Sequence, residues 1–341
     1  MTYLVGKVAL DIKAGAPNNG RGQDNVGVVK KFRIGRDVYP YVSAQAFRRW
    51  IRDSLPAAES RSPVKREGQG KKQQAYTLGR PDKYLDDDLF GYMVALKNEN
   101  FQRDTVFATG TLVSVAPRLP EADFGTMSRG FPADAHPVIH EHELYSAEVA
   151  GDILLDLPRV GTFEQEGGGL RRALNPGAAA EALANGAEEI TFRDVASIQL
   201  PIAERRRRVT TLLRTLAEVR GGAQRALHYG DRAPAFVLLA PLKGGNNPFT
   251  RVLAAKDSRV RFDQDTFALE LAAWADELDG PVRIGWSPGF LGDQRDQAVR
   301  RFQPELDAST LTIDHPRTML RALADEIQEG QNDLWFQDPA R

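Results

Sequence analysis

The chain has 341 residues, with 45 lysines and arginines against 46 aspartates and glutamates, a formal charge of −1 and no cysteine. This length allows one elaborated domain or two smaller ones. The lack of cysteine excludes disulfides, thiol nucleophiles and thiolate-bound zinc or iron–sulfur sites. Because the charges balance, any nucleic-acid site must be a local basic cluster. No apolar run approaches the about 20 residues that cross a bilayer, and no signal peptide is recognised, so a cytoplasmic protein without a membrane partner is expected.

The first predicted element is a strand from Tyr3 to Ile12, followed by a loop rich in glycine and asparagine. Such a loop, residues 14–24, permits positive φ angles and close approach of the backbone to a ligand. It lacks the GxxxxGK[ST] pattern of a Walker A motif. Residues 26–34 and 38–42 are predicted to pair as a hairpin.

A helix is predicted to begin after Ser43, because serine is a favoured N-cap. At about 100° per residue, one side of this helix is apolar and carries Phe47, Trp50, Ile51 and Leu55. The opposite side carries Gln45, Arg48, Arg49 and Arg52. Guanidinium groups and a helix N-terminus both suit phosphate oxygens. The alternative is an ordinary amphipathic helix with a solvated basic face.

Residues 56–83 are polar and predict a flexible basic loop, in which Lys71 and Lys72 are candidate RNA contacts or simply solvated. In the run that follows, Asp86, Asp87 and Asp88 are consecutive. Adjacent helical residues diverge by about 100°, so a short packed helix is favoured over a metal site. A strand is then predicted over residues 105–117.

Three histidines, at positions 136, 140 and 142, form the main histidine cluster. His140 and His142 would share one face of a strand, which makes a metal-binding pair conceivable. No third ligand has a suitable spacing, so surface histidines are favoured. Neither a metal nor a cofactor is expected.

The second half of the chain predicts alternating strands and helices. The predicted elements are a strand at 143–157, an irregular exposed segment at 158–190, a helix at 197–220 with a solvated Arg205–Arg208 run, a strand at 234–242, a helix at 267–278, a last strand at 282–286, a helix at 316–329 and a loose tail at 333–341. Without the insertions, the order is βαββαβ, which is the α+β ferredoxin-like or RRM-like arrangement. No RNP1 motif and no named catalytic motif is present, and the lone His228 is more often structural.

Two motifs carry a resemblance to a known family. The first is Pro40-Tyr41-Val42-Ser43 with Gln45, Arg48 and Arg52, and the second is the run from Leu85 to Gly91. Together they resemble the crRNA-binding backbone subunit of type I CRISPR Cascade complexes, in the RAMP superfamily. The DevR-type autoregulator branch of type I-B systems is the most similar.

The resemblance implies one elaborated domain with an RRM-like palm (1–55, 143–157 and 197–341), fingers (about 56–142) and a thumb (about 158–196). Copies would stack as a helical filament along one crRNA, whose guide pairs with target DNA. The other implied partners are the capping, large and guide-processing subunits of the complex. The subunit itself would be non-catalytic.

Carried onto this sequence, the resemblance implies that Gln45, Arg48 and Arg52 bind phosphates, with Ser43 at the helix start. Arg49 lies off the family pattern and is a weaker candidate. Further candidate RNA contacts are Asn18, Asn19 and Arg21 in the first loop, Lys243 after the fourth palm strand, and Arg171 and Arg172 on the thumb.

Two alternative functions remain open. Similar type III backbone subunits cut target RNA with an aspartate after the first strand, which makes Asp24 a candidate catalytic residue here. Those relatives open the helix with Gly-Ser-Ser-Leu-Lys-Gly, whereas this chain has Ser43-Ala44-Gln45-Ala46-Phe47-Arg48, so the type I function is favoured. A DNA-binding autoregulator would need a helix-turn-helix, which the sequence does not suggest.

Overall fold

A computed structural model describes residues 1–22, 26–70, 73–95, 100–132, 135–166, 172–225 and 228–338. Its helices are α1 (Ala44–Ser54), α2 (Leu85–Phe90), α3 (Pro176–Ala184), α4 (Ile202–Leu216), α5 (Gln264–Ala273), α6 (Gln294–Arg301), α7 (Gln303–Asp307) and α8 (Pro316–Gln328). Its strands are β1 (Tyr3–Gly15), β2 (Val26–Gly27), β3 (Lys31–Ile34), β4 (Asp37–Val42), β5 (Val64–Glu67), β6 (Gln74–Thr77), β7 (Tyr92–Ala95), β8 (Asn100–Arg103), β9 (Phe107–Thr109), β10 (Leu112–Ser114), β11 (Glu121–Met127), β12 (Val138–Asp156), β13 (Thr162–Glu166), β14 (Glu188–Phe192), β15 (Val195–Gln199), β16 (Phe236–Leu242), β17 (Leu253–Lys256), β18 (Arg259–Phe262), β19 (Val282–Trp286) and β20 (Leu311–Asp314).

One large mixed sheet organises the described chain. Its strands run in the order β20-β19-β16-β1-β12-β10-β4-β3, and β2, β9 and β11 also pair with the long strand β12. The central pairs β1–β12 and β1–β16 are antiparallel, whereas β19 and β20 are parallel. The predicted α+β class is therefore confirmed at the level of a large sheet with packed helices.

Both faces of β1 are buried, which explains why this strand is apolar along most of its length. Leu4, Val8 and Leu10 pack in one core, which also contains buried side chains of α1, α4 and α8. Val5 and Ala9 point to the other face, into a second core that includes residues of α5 and α6. Burying each large aliphatic side chain is worth about 1.5–3 kcal/mol, so the two cores fix the helices on opposite sides of the sheet.

The prediction that residues 158–190 are irregular and exposed is wrong. Strands β13, β15 and β14 form a separate three-stranded sheet. Helix α3 lies in this unit, and the side chain of its N-cap Asn175 accepts a hydrogen bond from Ala178 N at 2.8 Å. Phe163 and Ile198 are buried with the small residues of α3 in a third core. The alanine-rich sequence of α3 suggests an irregular segment because the residues that pack against these alanines are distant in the sequence.

Several predicted boundaries are also wrong. The polar segment 56–83 contains the hairpin of β5 and β6, and residues 105–117 form two short strands instead of one. The break falls at Gly110, whose N–H donates to Asp152 O at 2.7 Å. The predicted helix 197–220 starts only after Pro201, because Val195–Gln199 pairs within the small sheet.

Residues 311–338 contain more regular structure than predicted. Strand β20 follows β19 and pairs with it, so residues 282–286 are not the last strand. The expected loose tail begins with a 3-10 turn at Asp333–Phe336, in which Trp335 and Phe336 are buried. Within the described parts of the chain, no helix is long and apolar enough to cross a membrane.

Candidate nucleic-acid interface

Helix α1 begins where the sequence predicts. Ser43 is its N-cap, and the hydroxyl accepts a hydrogen bond from Ala46 N at 3.4 Å. The backbone N–H of Ser43 donates to Asn18 Oδ1 at 2.9 Å. The first loop and the positive end of the α1 dipole, both proposed from the sequence, are therefore adjacent.

The apolar face of α1 is buried as predicted and fixes the orientation of the helix. Phe47, Trp50 and Ile51 all lie in the core that α4 and α8 share. Gly221 packs against the Trp50 ring at a φ of +148°, and a Cβ there would lie 2.6 Å from the ring. Glycine is therefore required where the segment after α4 crosses α1.

Arg48 is the most distinctive side chain on the opposite face. It is half-buried, and its Nη1 lies 3.4 Å from Thr109 Oγ1. Within the described ranges, no carboxylate lies at ion-pair distance from Arg48. Burial lowers the pKa of Arg48, and the neighbouring charge of Arg52 lowers it further. Both effects destabilise the charged form of Arg48. An anion bound here would therefore pair with a cation that no described carboxylate neutralises.

Arg52 and Arg49 differ from Arg48 because each has an acidic partner. Arg52 Nε lies 3.2 Å from Oδ2 of the buried Asp86, and its guanidinium stacks 4.9 Å from the Phe90 ring centroid. Arg49 is exposed and forms an i,i+4 ion pair with Asp53 at 2.6 Å. Gln45 is exposed one turn from Arg48. The face therefore offers one unpaired and two partly neutralised guanidiniums.

The loop after β1 is held against residues 28–30. Gly20 N donates to Val28 O at 2.7 Å, and Lys30 N donates to Asn18 O at 2.9 Å. Asn19 forms a β-bridge with Val29, and Arg21 is exposed. Asp24, the alternative catalytic candidate, lies outside the described residues.

Lys243 and Arg172, the remaining candidates that the structure describes, bond to other segments of the chain. Lys243 follows Leu242, which pairs with Tyr3 at the start of β1, whereas the loop containing Asn18 follows its end. Lys243 Nζ donates to Asp276 O at 3.1 Å, on a segment other than α1 and the first loop. Arg172 Nε donates to Gln165 O on β13 instead. Lys71, Lys72 and Arg171 lie outside the described residues.

The three aspartates of α2 diverge, as predicted, and all are buried. Asp86 accepts from Ser62 N at 3.0 Å, and Asp87 accepts from Arg80 N at 2.9 Å. Burial raises the pKa of Asp87. Asp88 lies between two arginines described next, so each carboxylate has a different partner.

The expectation that the Arg205–Arg208 run is solvated is wrong for Arg205 and Arg208, which are buried, whereas Arg206 and Arg207 are partly exposed and paired with carboxylates. Arg208 is buried and its Nη1 lies 2.7 Å from Asp88 Oδ2, while Arg103 Nη2 lies 2.5 Å from Asp88 Oδ1. Arg205 donates to three backbone carbonyls, and burial lowers its pKa to about 10. These residues connect α4, α2 and β8 in the interior, where intramolecular acceptors occupy them.

A groove of mixed charge was missed by sequence reasoning: six basic side chains line it together with the five acidic ones of Asp11, Glu148, Asp263, Asp265 and Asp293. It has a volume of about 1020 Å³ and lies beside β17 and β18. Its lining includes the exposed side chains of Lys256, Arg259 and Arg261. Lys13 also lines the groove, which therefore lies on the face of β1 opposite α1. The alternation of arginine with buried Val260 and Phe262 was the available signal.

The prediction that the three clustered histidines lie on the surface is right for two of them and wrong for the third. His136 and His140 are exposed, but His142 is buried on β12. Its Nε2 lies 2.6 Å from His228 Nε2, which is contributed by the segment after α4. The sequence could not pair these residues because 86 positions separate them.

No family model matches the sequence, and no curated protein matches it either. Solved structures with a similar fold do exist. A chain of a "CRISPR RNA-guided surveillance complex" is 14% identical with a TM-score of 0.52, and the match covers 95% of this chain and 98% of that one. A chain of a "CRISPR RNA-guided surveillance complex, pre-nicking" is 12% identical with a TM-score of 0.55, covering 95% and 100%. At this identity the similarity establishes a shared fold over nearly the whole chain.

Proposed function

We propose that this chain is a crRNA-binding backbone subunit of a CRISPR surveillance complex of the Cascade type. Its fold matches chains of RNA-guided surveillance complexes over 95% of its length. The motif around Ser43 resembles type I backbone subunits, in particular the DevR-type branch. A cytoplasmic location belongs to the same proposal.

The unpaired guanidinium of Arg48 carries the RNA-binding part of the proposal. Burial and Arg52 both disfavour its charge, and no described carboxylate offsets this cost. A phosphate would supply a bidentate acceptor and a compensating charge. The same face presents Gln45, while the Asn18 loop lies at the helix start. This arrangement suits a sugar–phosphate backbone.

The hand-like organisation is also part of the proposal. The order β16-β1-β12-β10 places the fourth, first, third and second strands of the βαββαβ series side by side, which fits an RRM-like palm. The small unit over residues 162–199 overlaps the proposed thumb (158–196) and extends three residues beyond it. Strands β5 to β8 and β11 fall within the proposed fingers (56–142), whereas β9 and β10 of that range pair in the large sheet. In this arrangement the thumb and fingers extend from a palm that holds the guide.

Exposed apolar side chains at the tip of the β11–β12 ribbon support assembly with further copies of the chain. Phe124 and Ile139 lie on one face of the ribbon, and Met127 and Val138 lie on the other. Large exposed apolar groups that cluster in this way mark contact surfaces. Along one crRNA, successive copies would cover each other's tips and leave the guide open to target DNA. Capping, large and guide-processing subunits would complete the complex.

The proposed role is non-catalytic, since the sequence at the start of α1 departs from the pattern of the RNA-cutting relatives. Metal-dependent cleavage of bound RNA that Asp24→Ala abolishes would instead support the type III alternative. The test of the proposal is to purify the chain from cells that contain a CRISPR array and to sequence the co-purifying RNA. We expect short RNAs with a repeat-derived end. A nucleic-acid-free monomer, even with its partner subunits present, would contradict the proposal.

A further inference from the structure

Three side chains that can bind a metal converge beside the first loop. Asp123 lies on β11, His142 on β12 and His228 in the segment after α4. His142 Nε2 lies 2.6 Å from His228 Nε2 and 3.1 Å from Asp123 Oδ2, and His228 Nε2 lies 3.9 Å from the same oxygen. In the described parts of the chain, this is the one group of at least three such residues whose ligand atoms come together.

The orientation of the two imidazoles needs an explanation. Both present Nε2 to the same point, and at 2.6 Å only one of these atoms can carry a proton between them. A cation between them would satisfy both lone pairs and the carboxylate. Tetrahedral zinc with ligand distances of about 2.0–2.1 Å separates its ligand atoms by about 3.3 Å, a value that lies within the observed range of separations.

We propose that Asp123, His142 and His228 form a binding site for a divalent transition-metal ion, with zinc as the best-fitting ion. Two imidazoles and one carboxylate are a usual ligand set for zinc, and imidazole also binds the other late first-row metals. Calcium and magnesium prefer all-oxygen sites and fit this set poorly.

Burial and access both suit such a site. The side chains of His142 and His228 are 8% and 13% exposed, so their nitrogens lie in a low-dielectric environment where a cation–ligand bond is strong. The side chain of Asp123 is 45% exposed and provides a route from solvent. The solvent side leaves room for water as the fourth ligand, as in zinc sites with three protein ligands.

The ion would fasten the segment after α4 to the β11–β12 ribbon. That segment already touches α1 through Gly221 and the first loop through a hydrogen bond from Ala223 N to Pro17 O of 2.9 Å. The contact between His228 and His142 attaches it to β12 as well. A metal would make this last attachment much stronger, and the role assigned to it is structural. The proposal does not depend on RNA binding.

The experiment measures zinc on the full-length chain after removal of nucleic acid. Chelator-treated protein is dialysed against zinc, and bound metal is counted by mass spectrometry alongside the thermal unfolding temperature. Cobalt substitution provides a second readout, because tetrahedral Co²⁺ absorbs visible light. The variants are His228→Gln and Asp123→Asn, with His140→Gln as the matched control on the same strand. His140 is exposed and its ring stacks beside His142, but it is not a ligand of the proposed site.

We expect one zinc per chain in the wild type and in His140→Gln, with a zinc-dependent rise in unfolding temperature that chelator reverses. Retention should fall at least tenfold in His228→Gln and less in Asp123→Asn, for which water can replace the lost oxygen. The proposal is overturned if the wild type gains neither zinc nor thermal stability, a result that needs no variant. Equal loss of zinc in His140→Gln and His228→Gln would also overturn it.

Discussion

The carboxamide oxygen of Asn18 accepts a hydrogen bond from the backbone N–H of Ser43 at 2.9 Å. This contact joins the loop after β1 to the N-cap of α1, so one hydrogen bond places two candidate RNA-binding segments side by side. It also uses an N–H group that a helix start would otherwise leave without an intrahelical partner.

Two substitutions of Asn18 separate the effect of its hydrogen bond on stability from the effect of a negative charge on guide binding. Asn18→Asp keeps the acceptor oxygen, so its unfolding free energy should stay within about 0.5 kcal/mol of the wild type, whereas Asn18→Ala should lose about 1 kcal/mol. Guide affinity should fall in both variants, in Asn18→Asp because a carboxylate then faces the phosphates. Fluorescence anisotropy with a labelled guide measures this effect. Full affinity in Asn18→Asp would mean that no phosphate lies near the loop.

The buried aspartate of α2 should be critical for stability. Asp88 is fully buried between Arg103 and Arg208, and Asp88→Asn leaves two buried cations without their shared anion. We expect a loss of about 3–5 kcal/mol in urea unfolding. Asp325→Asn is the control, because its ion pair with Arg214 is exposed and should be worth about 0–1 kcal/mol. Similar losses in the two variants would show that the buried network contributes no special stability.

Acid should weaken the same network through Glu164. Burial favours its neutral form, but the guanidiniums of Arg103 and Arg159 outweigh this effect and lower the pKa of Glu164 from its ordinary 4.5. A lowered folded-state pKa stabilises the protein above about pH 4.5, and this stability is lost as pH falls through the folded value. Urea unfolding at several pH values below 5 should show a flatter pH dependence for Glu164→Gln than for the wild type. Identical slopes would contradict this assignment.

The apolar ribbon tip should control assembly. Phe124→Ser combined with Ile139→Ser should shorten the particles that form on a long guide, while the unfolding temperature of the free chain stays within a few degrees. Leu269→Ser is the control, since Leu269 is also exposed but lies on α5. Light scattering gives the mass of each assembly. Unchanged mass in the double variant would show that the tip is not a contact between copies.

The sequence predicts α1 well because its signals are local. The N-cap Ser43 and the apolar spacing of Phe47, Trp50 and Ile51 lie within one short segment. The partners of the charged residues could not be predicted, because sheet pairing brings them together over long separations. Asp88 lies 120 residues from Arg208, so the basic run on α4 resembled a solvated surface.

The partners within the histidine site could not be predicted for the same reason. His140 and His142 share a face by their spacing alone, but the partner of His142 is 86 residues away. The large sheet could be foreseen from strand order, whereas the small unit built around Phe163 depends on alanine packing that no periodic pattern indicates.

The most direct test of the central claim compares Arg48→Ala with Arg49→Ala in guide binding over a range of salt concentrations. Both variants lose one arginine from α1, but Arg49 is paired with Asp53 and Arg48 has no described acidic partner. Arg52 is a poorer choice because its loss would also leave the buried carboxylate of Asp86 without its ion-pair partner. We predict that Arg48→Ala weakens binding about 10- to 100-fold for every guide sequence and lowers the salt slope by about 0.7, with little change in Arg49→Ala. Equal effects in the two variants, or a loss restricted to particular guide sequences, would contradict the proposed phosphate contact.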